Sequence, residues 1–150
     1  MFGKLRKEKG QLTKSIKSAR KSLAANSNDG RKAAYHTILP ALELAQSQKL
    51  HEQQITLFGL LGDVYFQSEQ YDTALSAYTD AIQIDGAIGN PEIHFRLGKT
   101  QFELGKLDRA ADELTRAYMG AGKDIFSRGG EAYFQFLQTR LDPPAGGWDA

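Results

Sequence analysis

Apolar residues recur along most of this chain with a period near 3.6, the spacing of helices that bury one face. Ile55, Phe58, Leu61, Tyr65 and Phe66 share one broad helical face. Asp72 then offers an N-cap, and Ala74, Leu75, Tyr78, Ala81 and Ile82 continue the period in a second helix. Gly86–Asn90 has the composition of a turn. Asn90 caps the next helix and Pro91 opens it, where a missing N–H costs nothing. Ile93, Leu97, Gln101 and Leu104 follow; Gly105 stops that helix. Asp108 caps its partner, which turns Ala110, Ala111, Leu114 and Ala117 inward and ends at Gly120 and Gly122. No segment reads as a strand, so the expected class is all-α.

The two helix pairs repeat one unit. Gly62 and Gly98, Ala74 and Ala110, and Ala81 and Ala117 are each 36 residues apart. Leu61-Gly62 matches Leu97-Gly98, Tyr71-Asp72-Thr73-Ala74 matches Leu107-Asp108-Arg109-Ala110, and Phe66 matches Phe102. Small residues at Gly62 and Ala74 suit two helices that cross closely. The run Phe58-x2-Leu61-Gly62-x2-Tyr65, then Ala74-x3-Tyr78 and Ala81, resembles the tetratricopeptide repeat. The second unit, His94-x2-Leu97-Gly98-x2-Gln101 then Ala110-x3-Leu114, departs from that pattern where His94 and Gln101 replace aromatics. Its period exceeds the family's length of about 34 residues, with the excess in Asp85–Asn90.

The resemblance implies an α-solenoid of helix hairpins with flanking capping helices. The repeats are expected at about 55–88 and 91–122, within a repeat domain over 31–141. Phe126-x2-Gly129-Gly130-x2-Tyr133 resembles the start of a third repeat, giving a capping helix over 123–141 that covers the last apolar face. Residues 142–150 form a Pro/Gly-rich tail bearing Trp148. That ring has two readings: it packs on the end of its own domain, or it anchors in a groove. Upstream, Arg31–Leu50 reads as one helix, or two broken near Pro40, with Ala34, Tyr35, Ile38, Leu42 and Ala45 on one stripe. Ala41-x3-Ala45 fits the second helix of an earlier, degenerate repeat. Residues 1–30 read as a basic amphipathic helix followed by a linker at Asn26–Gly30.

A length of 150 residues with 41% hydrophobic and 25% charged side chains suits one globular domain with a real core. The net charge of +1 hides an asymmetry. Residues 1–33 hold ten Lys or Arg against Glu8 and Asp29, a net of +8; the rest hold nine basic and sixteen acidic groups, a net of −7. No apolar run is long enough to cross a bilayer, and residues 1–30 lack the apolar core of a signal peptide. The absence of cysteine excludes disulfides, thiol catalysis and cysteine-ligated zinc. It also suits a reducing compartment, so the cytoplasm is the expected address by elimination.

Catalytic signals are poor. His36, His51 and His94 share no helical turn, so no metal site is expected, and no cofactor motif is present. Gly120-Ala121-Gly122-Lys123 and Gly129-Gly130 lack phosphate-loop spacing and follow helices. The expectation is a non-enzymatic protein–protein interaction module: an adaptor, assembly factor or small chaperone. The resemblance implies a concave groove lined by the first helix of each repeat. In this chain those positions hold Thr56, Gly59, Asp63, Phe66 and Gln67, then Glu92, Phe95, Lys99, Phe102 and Glu103. A third register adds Asp124, Ser127, Glu131, Phe134 and Gln135.

Phe66, Phe102 and Phe134 recur at one equivalent place, either as an aromatic strip in the groove or as packing between repeats. Phe95 has the least need to be core. The carboxylate clamp of chaperone-binding relatives is missing, since Gly59, Asp63, Leu60, Thr56 and Glu92 stand where it wants Lys, Asn and Arg. Only Arg96 and Lys99 offer positive charge there, so capture of an acidic C-terminal peptide is disfavoured. The expected ligand is another protein or peptide segment, extended or helical, with apolar anchors and a basic residue for Asp63 or Glu131. A homo-oligomer is also open. The alternative is a basic arm, with Lys14, Lys17, Arg20 and Lys21, that targets nucleic acid or a membrane while the repeats serve as scaffold. The arm is expected to be helical from about Leu5 to Leu23, docking Leu12, Ile16, Ala19 and Leu23 on protein.

Overall fold

The computed structural model describes residues 1–149. They form α1 (Phe2–Ala24), α2 (Asn28–Ser47), α3 (His51–Gln67), α4 (Tyr71–Ile82), α5 (Pro91–Glu103), α6 (Leu107–Ala121), a 3-10 turn (Lys123–Phe126) and α7 (Glu131–Gln138). No strand occurs among the described residues. Three connections share one geometry. A single residue adopts left-handed backbone: Lys49 (φ 54°), Glu69 (φ 61°) and Gly105 (φ 76°). The next residue's N–H then reaches back to a carbonyl of the last helical turn. Leu50 donates to Ala45, Gln70 to Tyr65 and Lys106 to Gln101, at 2.9, 2.9 and 2.8 Å. This is a Schellman ending, which satisfies helix carbonyls that would otherwise lack donors.

The chain divides into two compact units, Met1–Ala87 and the residues from Ile88 on. In the first, α1 packs on α2 and α3, α2 on α3, and α3 on α4. The α1–α2 turn is short: Asn26 is left-handed (φ 47°), and the Ser27 hydroxyl accepts from the Gly30 N–H at 3.0 Å to cap α2. Residues 28–30, placed in a linker by composition, are thus the first turn of α2. That helix runs unbroken through Pro40, which sits on its exposed side. Leu12, Ala19 and Leu23 of α1 join Ala34, Ile38, Ala41, Leu42 and Ala45 of α2 and Leu57, Leu60 and Val64 of α3 in one core.

The face drawn for α3 needs correction. Ile55, Leu57, Gly59, Leu60, Gly62 and Val64 are its buried residues, while Phe58, Leu61, Tyr65 and Phe66 are half-buried. A helix packed against three others is apolar nearly all round, so its periodicity is weak. The α3–α4 crossing is where the motif placed it. A Cβ on Gly62 would collide with the Tyr78 ring, which is fully buried.

In the second unit α5 packs on α6, and Gly98 plays the same part: a Cβ there would lie 2.7 Å from Leu114 Cγ. Asn90 Oδ1 accepts from the N–H groups of Glu92 and Ile93 at 3.0 and 3.3 Å, capping α5 ahead of Pro91. His94 is buried and holds the preceding loop. Its Nε2 accepts from the Gly89 N–H at 3.0 Å, and its Nδ1 lies 2.6 Å from Glu113 Oε2. The expected capping helix over 123–141 is divided. Gly129 turns left-handed (φ 72°), and a Cβ on Gly130 would lie 2.7 Å from the Phe126 carbonyl oxygen. These two glycines form a tight break between the 3-10 turn and α7, where the third-repeat register had treated them as helical.

Candidate functional site

Helix α1 presents a buried and an exposed face. Leu12, Ala19 and Leu23 point into the core, so Thr13, Lys17 and Arg20 fall on the flank toward α3, with Ile16 half-buried below them. Facing them on α3 are Glu52, Gln53 and Thr56. Together these seven residues line an open groove of about 490 Å³. Gln67 locks the far end of the same pair of helices, donating from Nε2 to the Leu23 carbonyl at 3.0 Å. Lys17 and Arg20 are exposed and enter no ion pair among the described residues. The groove therefore offers two cations, two threonine hydroxyls, an amide, one carboxylate and an apolar floor. That set can bind an extended segment bearing an acidic side chain and a small apolar one.

A second hollow of about 370 Å³ lies between the start of α2 and the end of α3, lined by Asn28, Arg31, Lys32, Tyr35, His36, Val64, Ser68 and Gln70. Arg31 is held there by the side-chain oxygens of Asn28 and Asn26, at 2.5 and 3.4 Å. Nearby, Tyr35 meets the Tyr65 ring edge-on, with centroids 6.5 Å apart. Burial, and then the neighbouring Tyr35 with its hydrogen bond, raise the Tyr65 phenol above its ordinary value of 10.0.

The residues expected to line the groove meet different fates. Thr56 is in the α1–α3 groove. Gly59 is buried. Asp63 accepts from the Tyr78 hydroxyl at 2.5 Å, so its carboxylate is engaged within its own hairpin. Phe66 packs edge-on against Tyr71. In the second unit Phe95 packs edge-on against Phe126 and Tyr133, with Lys99 Nζ 5.6 Å from its ring centre. Phe102 lies against Tyr133 and Phe136, and Glu103 accepts from the Tyr133 hydroxyl at 2.8 Å. Glu92 is exposed and pairs with Arg96 at 3.7 Å. Asp124, Ser127, Glu131 and Gln135 are exposed.

Phe134 is the clearest correction. It is 9% exposed, in a core with Leu114, Phe126 and Leu137. Trp148 packs edge-on against both Phe134 and Tyr118, and Lys123 pairs with Asp149 to hold the tail down. The expected strip is thus divided: Phe66 packs on Tyr71 in the first unit, while Phe102 and Phe134 are packing among α5, α6, the 3-10 turn and α7. The basic arm is equally changed in meaning. Lys14, Lys17, Arg20 and Lys21 are exposed, but they belong to a helix whose other face is core.

Sequence reasoning missed the α1–α3 groove because it set residues 1–30 apart. A signal was available. Ala34-x3-Ile38-x2-Ala41 has the spacing of Ala74-x3-Tyr78-x2-Ala81 and Ala110-x3-Leu114-x2-Ala117, and all nine residues are buried. That match marks α2 as the second helix of a hairpin and requires α1 as the first.

No three His, Asp or Glu side chains converge as metal ligands among the described residues, and none of their helices is long and apolar enough to cross a membrane. A family model described as TPR repeat, for tetratricopeptide repeat, matches residues 62–105. Among curated proteins none matches. The crystal structure of the TPR domain of Arabidopsis FLU is similar in fold, with a TM-score of 0.63 and 21% identity over 88% of this chain and 98% of that one.

Proposed function

We propose that this all-α chain, which matches the tetratricopeptide-repeat model over residues 62–105 and has the fold of a TPR domain, acts as a protein-interaction module and binds a segment of another protein in the groove between α1 and α3. The observation that carries this reading is the groove itself: cations Lys17 and Arg20 without ion partners stand opposite Gln53 and Thr56 over the apolar Ile16. The segment is extended, places an acidic side chain near the two cations, and lays a small apolar side chain on Ile16. Its work is that of an adaptor, assembly factor or small chaperone, with the ligand's sequence and not a reaction as the thing recognised.

Selection of a displayed peptide library on the full chain tests the reading. Enriched peptides should carry acidic residues. Their affinity, measured by calorimetry, should fall about tenfold or more for Lys17→Glu with Arg20→Glu, as expected for lost charge-assisted hydrogen bonds. Thr56→Trp, which fills the groove, should abolish binding, whereas Thr73→Trp on the exposed side of α4 should not. Peptides that bind equally well to Thr56→Trp would refute it.

A further inference from the structure

We propose that the solvent face of α1 docks this protein on the anionic surface of a lipid bilayer. Its central residues, Lys7, Lys14 and Lys21 with Met1 and Phe2, lie outside the groove between α1 and α3; of the cations only Lys17 and Arg20 are shared with the peptide-binding reading. Helix α1 carries eight cations, Lys4, Arg6, Lys7, Lys9, Lys14, Lys17, Arg20 and Lys21, and a single acid, Glu8. All eight are exposed, and none forms an ion pair among the described residues. Opposite the buried Leu12, Ala19 and Leu23 run Lys7, Lys14 and Lys21, seven residues apart and so on one line of the helix surface. Gly10 and Ser18 lie between them and Gly3 precedes Lys7, all exposed, so a flat surface can approach the lysines closely. At the start of this ridge Met1 and Phe2 are 103% and 88% exposed.

The chemistry of the ridge selects lipid over nucleic acid. Six of the eight cations are lysines, compact hydrated charges that suit a diffuse layer of headgroups and lack the planar fork of arginine. No aromatic ring lies along the ridge on which a base could stack. Phe2 and Met1 are placed at one end, where an interface gains from taking up apolar side chains. The apolar stripe of α1 is already spent on the core, so the helix lies on the headgroups without sinking into them. Adhesion is then mainly electrostatic, confined to about a Debye length, and lost at high salt.

The test is co-sedimentation of the full chain with vesicles of phosphatidylcholine, with and without phosphatidylglycerol. The protein should partition onto the phosphatidylglycerol vesicles at low salt, leave them as salt rises, and ignore pure phosphatidylcholine. Each cation near the surface contributes about fivefold in partitioning, so Lys7→Gln/Lys14→Gln/Lys21→Gln should lose about a hundredfold. Phe2→Ser should lower partitioning at unchanged helicity. These side chains are solvent-exposed, and circular dichroism of each variant checks the fold. The proposal is overturned by no partitioning, by equal partitioning on neutral vesicles, or by a triple variant that binds like the parent. It is also overturned if duplex DNA retains the protein more tightly than the vesicles and Phe2→Ser makes no difference; the ridge then serves nucleic acid.

Discussion

Gly62 shows how a single residue sets a helix crossing. Its missing Cβ lets the Tyr78 ring, 0% exposed, lie against the α3 backbone. Gly62→Ala gains about 1 kcal/mol in helix propensity but must displace a ring that has nowhere to go. Overpacking of this kind costs about 1–3 kcal/mol, and collision with three atoms of an enclosed ring puts Gly62→Ala at the upper end, so the net effect is a lower melting temperature, measurable by thermal denaturation. An unchanged or higher midpoint would place the crossing elsewhere. This feature was legible in the sequence, because close approach leaves few residue types. Phe134 was not, because its place depended on Gly129-Gly130, a pair that serves a helix crossing or a chain reversal equally well. Only the backbone, with Gly129 at φ 72°, separates the two. A pH prediction also belongs at this scale. The folded state raises the Tyr65 phenol above 10.0, so it holds that proton more firmly than the unfolded chain. Stability is full below pH 10.0 and declines as pH rises through the folded value. Urea midpoints compared below and above that pH should fall less in Tyr65→Phe than in the parent. Equal declines would show that Tyr65 contributes nothing to the slope.

At the scale of elements, α1 decides the reading of the first unit. Composition marks it as a basic arm, since eight of its residues are cations. Packing makes it the first half of a hairpin, since Leu12 and Ala19 are fully buried among residues of α2 and α3. Both descriptions are true of different faces, and charge density on one face says nothing about burial on the other. The two accounts part on Leu12→Ala. A core leucine costs about 2–5 kcal/mol when truncated, while an exposed-arm residue costs about 0.5 kcal/mol or less. Equilibrium urea unfolding should give the larger value. A change within the smaller range would return α1 to the status of an appendage. The same logic bears on the Schellman turns, whose 36-residue spacing between Glu69 and Gly105 was visible in the sequence only as Gly105. Glutamate in left-handed backbone leaves no compositional trace.

For the whole molecule, two compact units each have their own core and their own division of labour. The first carries the groove and the cationic ridge, both of which depend on α1 being in place. The second is stiffened by aromatic contacts that run from Phe95 to Trp148. Deleting residues 1–25 would therefore strip core from the first unit as well as charge from its surface, and point substitutions are the cleaner probe of function. The measurement that tests this most directly is amide hydrogen exchange on the full chain. If α1 is integral, amides from Leu12 to Leu23 should exchange as slowly as those from Leu57 to Val64, because both segments open only when the shared core opens. Fast exchange across Leu12–Leu23 beside protected α3 would contradict the account, and with it both the groove and the ridge.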